Sequence, residues 1–371
     1  MGKNMKKSIN YLDLFSGIGG FALGLEQSGI TIKRHFYSDI DTYANRIYKK
    51  HFPKAVGLGD VKTIKSFRKL GHIDLITFGF PCQDLSIAGK GKGFDGTRSC
   101  LFYEAIRIIR KIRPTHFIFE NVKGLLSNDN GRTFEKVLQE IADIGLYDCE
   151  WQLVNTSWLL PQNRERIYFI GHLRGFSEPK VFPICGCDKK TIGLQRQTVN
   201  TITAQKRDSV GTYVVENQLV QETKRNAQGE RIKSIYGNSV CLTSNGGGFA
   251  THTGLYAVPV LTPDRINKRQ NGRRFKNIGD PSFTLTTQDR HGIMLVQKRQ
   301  SVVDLGYEEL MSLIQNGNLT IRRLSPLECE RLQGFPDGWT ESCSDNQRYK
   351  MLGNAVTVAM TKLIFSRLYN E

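Results

Sequence analysis

An α/β fold is what this sequence predicts: a doubly wound, mixed but mainly parallel sheet, followed by a smaller, mostly β or irregular region. Three observations carry the expectation. Between Ile9 and Gly171, short apolar runs alternate with stretches of helical period, the rhythm of strand–helix–strand units. The first run passes directly into Ser16-Gly17-Ile18-Gly19-Gly20, a glycine turn where a ligand can approach backbone N–H groups at a helix N-terminus. From about Arg174 the helical periodicity nearly vanishes, while Gly, Thr, Asn and Gln rise.

Length and composition set the limits. A chain of 371 residues can hold two domains, or one with a large insertion. Its 39% hydrophobic and 23% charged residues are those of an ordinary soluble globular protein. No apolar run approaches a membrane span, and no signal peptide precedes the first strand. The eight cysteines are scattered; Cys185-Gly186-Cys187 is a close pair with no second pair to complete a zinc site. A reduced, cytoplasmic compartment and no metal are therefore expected. The formal net charge is +17, with 22 Lys/Arg against 12 Asp/Glu between Arg174 and Arg323 and 30 against 23 elsewhere. That imbalance points to a polyanionic partner, nucleic acid first, because phosphate neutralisation supplies most of its affinity. A merely basic, soluble surface would carry the same charge.

Taken in order, Met1 to Ser8 reads as a short disordered tail and Ile9 to Phe15 as a strand. A helix from the glycine turn ends near Gly29, and a second strand, Lys33 to Tyr37, ends at Ser38-Asp39-Ile40-Asp41. An acidic residue about 20 positions beyond the turn is placed to accept hydrogen bonds from ribose hydroxyls; Asp39 is equally placed to cap the next helix. Gly59-Asp60-Val61 puts another carboxylate at a strand end. Ile73 to Phe78 reads as a buried strand leading into Gly79-Phe80-Pro81-Cys82-Gln83-Asp84-Leu85-Ser86 and a loop containing Gly89, Lys90, Gly91, Lys92 and Gly93. Cys82 thus sits just past a strand's carboxyl end, where open α/β sheets place their chemistry. It is a nucleophile if its thiolate is favoured, or a half-buried structural cysteine.

Ser99 to Arg113 is an amphipathic helix, followed by a strand, Thr115 to Phe119, that ends in Glu120-Asn121-Val122. Glu120 would lie beside Cys82 if the two strands pair. Thr133 to Ile144 is a helix stopped by Gly145, and strands near Tyr147–Asn155 and Arg166–Gly171 flank Pro161-Gln162-Asn163-Arg164-Glu165-Arg166.

Beyond Arg174 a threefold echo of about 40 residues emerges. Asn200–Thr203, Val240–Thr243 and Phe283–Thr286 each begin a unit; Gly211–Val215, Gly254–Val258 and Gly292–Val296 close them. The reading is three irregular hairpins whose loops carry Gln205 and Arg207, Asn245, and Gln288, Arg290 and His291. Arg and Asn/Gln read guanine and adenine edges, although ordinary polar loops contain them too. Arg273 and Arg274 lie in a basic stretch suited to phosphates or to a solvated linker. Ser325-Pro326-Leu327-Glu328 is a capping box opening a helix that runs to Gln333 and stops at Gly334. Gln347 to Tyr369 is mostly helix, interrupted at Gly353-Asn354, and should pack back on the first sheet.

Six stretches in this order, Asp13–Phe21, Gly79–Gln83, Glu120–Val122, Gln162–Arg166, Arg331–Pro336 and Gly353–Val356, resemble the DNA (cytosine-5)-methyltransferases of the bacterial restriction–modification type. The resemblance covers nearly the whole chain outside 174–320. It implies a SAM-dependent methyltransferase (Rossmann-like) catalytic domain at 1–173. A target-recognition domain of three hairpin-like repeats would span 174–320, with a hinge and C-terminal helix at 321–371. It implies S-adenosylmethionine (SAM) as methyl donor, S-adenosylhomocysteine as product, no metal, and double-stranded DNA as substrate. Cys82 would add to cytosine C6. Glu120 would protonate or hydrogen-bond N3, a role favoured by a closed, water-poor site. Arg166 and Arg164 would hold the base O2 and the neighbouring backbone. The target base must be flipped out of the duplex, with the Gly89–Gly93 loop as a lid and Ser86 on the flipped nucleotide's phosphate; Lys90 and Lys92 are DNA-contact candidates. Around the donor the resemblance places Phe15, Ile18 and Gly20, with Asp39 on the ribose and Ile40, Asp60 and Val61 at the adenine. Pro81 and Leu101 fall near the sulfonium, and Asn354 and Val356 on the returning segment. Many relatives carry an aromatic residue where this chain has Ile40, so donor binding is expected to be slightly weaker.

Other readings stay open. A DNA-methylase-like branch methylates transfer RNA with the same motifs, though with a more compact recognition region than the roughly 150 residues here. A catalytically silent DNA-binding homologue is opposed by the intact Cys82, Glu120 and Arg166. A dehydrogenase rests on the glycine turn alone. A monomer suits an enzyme that methylates one strand per encounter, and a restriction endonuclease acting on the same site is a possible partner. The target sequence is not legible.

Overall fold

The computed structural model describes residues 8–80, 100–175, 181–184, 211–215, 218–223, 256–263, 273–276, 280–287, 290–296, 312 and 319–370. The chain divides into two compact units: Met1–Asn155, Glu165–Cys185 and Trp339–Glu371 form the first, Thr156–Arg164 and Gly186–Gly338 the second.

The first unit is built on a seven-stranded sheet. Its strands are β1 (Ser8–Leu14), β2 (Thr31–Ser38), β3 (Val56–Gly57), β4 (Leu75–Phe78), β5 (His116–Val122), β6 (Tyr147–Asn155) and β7 (Glu165–Leu173). They lie in the order β3-β2-β1-β4-β5-β7-β6. The first five run parallel and β7 pairs antiparallel with both β5 and β6. The mixed, mainly parallel sheet is the one the alternating sequence predicts. Its central strands are buried on both faces: Leu12, Leu14, Ile76, Phe78, Phe117, Phe119, Ile167 and Phe169 line one face in a single core, and Tyr11, Leu75, Ile118 and Ile170 are buried on the other. Phe119 stacks on Phe78 and Phe169, its ring centroids 4.8 and 4.3 Å away, and so stitches three strands together.

Helices α1 (Gly20–Gln27), α2 (Thr42–His51), α3 (Cys100–Ile112) and α4 (Arg132–Ala142) follow β1, β2, β4 and β5. Asp41, whose Oδ1 accepts from the Tyr43 and Ala44 N–H groups, is the N-cap of α2. The strand order reverses between β1 and β4, so the carboxyl ends of these two strands open the crevice in which such sheets bind ligands.

In the second unit, α5 (Pro326–Gln333) carries the predicted capping box: Ser325 Oγ accepts from Glu328 N and Glu328 Oε2 accepts from Ser325 N. Gly334 ends the helix at φ 80°. Helices α6 (Asp345–Asn354) and α7 (Val358–Asn370), both in the first unit, break where Gly353-Asn354 predicts. α7 packs on α1 at Gly24, so residues 339–370 complete the first unit.

In the second unit the segments expected to open the first two hairpins, 200–203 and 240–243, lie outside the described residues. β8 (Gly211–Val215) pairs forward with β9 (Gln218–Thr223). β10 (Tyr256–Leu261) pairs with β11 (His291–Val296), and β11 with β12 (Leu319–Arg323), all antiparallel. The closing strands of the second and third repeats therefore bind each other. Phe283–Thr286 is not a strand; Leu285 N donates to Gln162 Oε1 at 3.3 Å, and Thr284 Oγ1 donates to the Asn163 carbonyl. Glutamine and backbone groups from 162–164 satisfy that segment, while the apolar β11 takes neighbours on both edges. Likewise 321–338 lie in the second unit, because β12 belongs to this sheet and Gln162 Nε2 donates to the Leu332 carbonyl at 2.9 Å. Among the described residues no helix is long and apolar enough to cross a membrane.

Candidate active site

The glycine turn after β1 is a bent loop, with Phe15, Gly17 and Gly19 at φ 51°, 52° and 85°. Gly19 caps α1, and a side chain there would strike Phe52, 2.5 Å from an added Cβ. The loop is tied to the end of β2 twice: Ser16 N donates to the Ser38 carbonyl at 3.1 Å, and Gly17 N to Asp39 Oδ2 at 2.7 Å. Asp39 Oδ1 accepts from Asp41 N at 2.8 Å. Burial pushes the Asp39 carboxyl up, against the Asp41 and Gly17 N–H bonds that pull it down. Since Asp41 is the helix cap, Asp39 instead joins the glycine loop to α2. Next to it Ile40 is 75% exposed, an open apolar surface beside a carboxylate. Asp60 caps a short turn by accepting from Lys62 N at 2.9 Å, and Val61 is buried.

Beneath the loop is a buried polar chain. Asp13 and Thr77 face each other across β1 and β4, and Thr77 Oγ1 donates to Asp13 Oδ1 at 2.8 Å. Tyr48 donates to Asp13 Oδ2 at 3.1 Å, Tyr11 contacts Thr77, and His35 Nε2 lies 2.7 Å from the Tyr48 hydroxyl. Burial raises Asp13 to about 8, although its hydroxyl partners pull the other way, and burial lowers His35 to about 4.

One strand further on, Glu120 lies within β5 rather than beyond it. Arg166 opposes Val122 in the antiparallel ladder and reaches diagonally to Glu120, Nε to Oε1 2.9 Å. The contact is an ion pair that misses hydrogen-bond alignment: among the described residues, Oε1 has no hydrogen-bond partner. Both side chains are largely buried. A Cβ added at Gly79 would sit 3.8 Å from Glu120 Oε2, and Asn121 Nδ2 donates to the Phe80 carbonyl at 3.4 Å. Phe80 is two residues before Cys82 in the chain. The β4 exit is thus fastened beside the Glu120 carboxylate.

In the second unit, the buried Arg164 donates from Nη1 to the Leu285 carbonyl at 3.0 Å. His291 is buried, and its Nε2 accepts from Thr286 N at 3.3 Å. Arg274 donates to Thr262 Oγ1 at 3.1 Å, whereas Arg273 and Arg290 are exposed.

A family model for C-5 cytosine-specific DNA methylases matches residues 9–370. The chain belongs to that family. This DNA cytosine methyltransferase is 29% identical to the orphan methyltransferase M.SPRI of Bacillus phage SPR, over 97% of each chain. It is also 29% identical to the type II methyltransferase M.HhaI of Haemophilus parahaemolyticus, covering 96% of this chain and 93% of that one. Its fold matches the crystal structure of S. pombe Dnmt2 methyltransferase with a TM-score of 0.60 at 17% identity, over 98% of both chains.

Family and fold imply SAM as the cofactor of this methylase. At the glycine loop an added Cβ on Gly17 would meet nothing within 4 Å among the described residues, and Asp39 and Ile40 border the same loop. Phe15, Ile18 and Gly20 belong to that loop or its helix, while Leu101 lies on α3 and Asn354 and Val356 flank the α6–α7 break. Pro81, Cys82, Ser86, Lys90, Lys92, Gln205, Arg207, Asn245 and Gln288 lie outside the described residues. Nothing local in the sequence marks Asp13, Thr77 and Tyr48 as one buried chain, or gives Asn121 and Gln162 their roles within their motifs. An Asp at a strand end does not announce its burial, and Gln162 works through partners 123 and 170 positions away.

Proposed function

We propose that this methylase transfers a methyl group from SAM to C5 of a flipped-out cytosine in double-stranded DNA, through a covalent bond between Cys82 and C6. One observation carries the reading: Glu120, paired with Arg166, lies beside the Gly79–Phe80 step that leads within two residues to Cys82. The glycine loop follows β1, the strand paired with β4.

SAM supplies an electrophilic methyl on its sulfonium and leaves as S-adenosylhomocysteine. Cytosine C5 is a poor nucleophile. Addition of the Cys82 thiolate forms the S–C6 bond and moves an electron pair toward C5 and N3. Glu120 donates a proton or hydrogen bond at N3, so negative charge does not build up and C5 becomes enamine-like. C5 then bonds to the methyl carbon as the sulfonium–methyl bond breaks. Removal of the C5 proton by a base returns the electron pair, re-forms the C5–C6 double bond and expels Cys82. Arg166 orients Glu120 and offers guanidinium donors to the base O2. Arg164 holds the Leu285 carbonyl and so fixes the 283–286 segment. The basic second unit supplies phosphate contacts and reads the site, with Arg290 and Gln288 as readers. The enzyme acts as a monomer, either as the modification partner of a restriction endonuclease or as an orphan methylase.

The test is to incubate the protein with tritiated SAM and unmethylated genomic DNA, with total transfer RNA in parallel, and to map product by bisulfite sequencing. Label at C5 within one short DNA motif is expected. Label confined to transfer RNA would move the enzyme to RNA, and DNA binding without label would leave a silent binder. In the same assay Cys82→Ser should lose turnover and keep DNA binding; turnover in that variant would remove Cys82 as nucleophile.

A further inference from the structure

The glycine loop is held not only from β2 but also from Trp339. Trp339 Nε1 donates to the Ile18 carbonyl at 2.9 Å; Thr361 Oγ1, whose shorter bond is to the Val358 carbonyl of its own helix at 2.9 Å, lies 3.3 Å from the Gly20 carbonyl. The Trp339 ring stacks on His51, with ring centroids 3.5 Å apart and planes 5° apart, and His51 Nε2 meets the Trp339 carbonyl at 2.8 Å. Phe52, edge-on to Trp339 with centroids 6.0 Å apart, occupies the space that a side chain on Gly19 would need. The indole is buried, so its single N–H requires a partner, and the loop carbonyl is that partner.

This arrangement adds to the bonds that already shape the loop, Ser16 N to the Ser38 carbonyl, Gly17 N to Asp39 and Gly19 N to the Ser16 carbonyl at 3.0 Å, none of which holds the Ile18 carbonyl. Ile18 sits between two glycines in the left-handed region, each free to adopt many conformations in the unfolded chain. Asp39 holds the loop at Gly17, and Trp339 holds it at Ile18. A loop clamped at both positions meets its ligand at a smaller ordering cost.

We propose that Trp339 is a positioning residue for the methyl donor: its indole N–H on the Ile18 carbonyl, seated by the His51 stack, presets the glycine loop for an S-adenosyl ligand. The inference rests on the reading that SAM binds at this loop. Trp339 touches neither the base nor the reacting carbon; it acts through Ile18.

The experiment measures S-adenosylhomocysteine binding calorimetrically in the wild-type chain, Trp339→Phe and His51→Leu, together with steady-state kinetics. Trp339→Phe keeps a stacking ring and removes the N–H. Loss of one hydrogen bond should raise Kd about two- to tenfold. KM for SAM should rise in step, kcat at saturating SAM should stay unchanged, and DNA affinity should be the same. In the ligand-free protein, amides of residues 16–20 should exchange faster with deuterium. A Trp339→Phe Kd equal to that of the wild type, or a fall in kcat with KM unmoved, would overturn the proposal. A wild-type chain that binds no S-adenosylhomocysteine would sink the cofactor-loop reading itself, and this inference with it. Should Trp339→Phe fail to fold, His51→Leu decides, because it removes the ring on which the indole is seated: a raised Kd supports the clamp and an unchanged one refutes it.

Discussion

Arg166 grips Glu120 diagonally, Nε to Oε1 2.9 Å, across the β5–β7 ladder, although the residue it directly opposes is Val122. The offset aims the guanidinium along the strand, so that both groups converge on the exit of β4. Replacing Glu120 by Gln keeps the shape and removes the acid. We expect kcat to fall by about 10²–10⁴ with DNA affinity unchanged. Arg166→Lys keeps the charge and loses the planar fork, and should lower kcat too. Wild-type single-turnover rates in Glu120→Gln would exclude Glu120 from the chemistry.

The buried Asp13 predicts a pH dependence of stability. Burial raises it from 3.8 to about 8, so the folded chain keeps a proton there that the unfolded chain releases. Its contribution is complete below about pH 4 and is lost as pH rises toward 8. Asp13→Asn removes the titration. Relative to that variant, the wild type should lose up to about 1.4 kcal/mol per pH unit between pH 5 and 8, and nothing more above about 9. Urea melts of both proteins at pH 5, 7 and 9 measure it; a gap that does not change with pH would contradict the burial argument.

Gly24 lies where α1 meets α7. A Cβ there would come within 2.0 Å of Thr361 Oγ1 and 2.9 Å of the Lys362 backbone nitrogen. Ala gains about 1 kcal/mol in helix propensity, but overpacking against a backbone costs about 1–3 kcal/mol. Gly24→Ala should therefore lower the melting temperature, which calorimetry reads directly. A rise would mean that the helices part without cost.

Arg290→Ala and Gln288→Ala should relax sequence choice more than they slow methyl transfer, as read by bisulfite mapping of a randomised-site library. DNA affinity should fall steeply with salt, given the charge of the 174–323 region, and a flat response would contradict its phosphate contacts.

What the sequence made legible was local. The Ser325–Glu328 box, the Gly334 stop, the glycine turn and the parallel rhythm are each written within a few residues, and each formed as expected. Glu120 and Arg166 were recognisable, but their pairing depended on β7 turning antiparallel to β5. Pairing in the second unit is a long-range choice: β11 pairs with β10 and β12, while Phe283–Thr286, expected to open a hairpin, bonds to Gln162 and Asn163. His291 looks like an exposed reader in a polar loop, yet it is buried and receives the Thr286 N–H. Trp339 meets Ile18 across 321 positions, a distance no local pattern spans.

That distance has a consequence during synthesis. All seven strands of the first sheet are translated before residue 174, whereas Trp339 and Thr361 leave the ribosome more than 160 residues later. A nascent chain can thus assemble its sheet and its glycine turn while the far clamp on that turn is still missing. The turn thus receives its bond from Trp339 only after residues 186–338 of the second unit have been made, so the sheet is complete well before its first loop is fully tied.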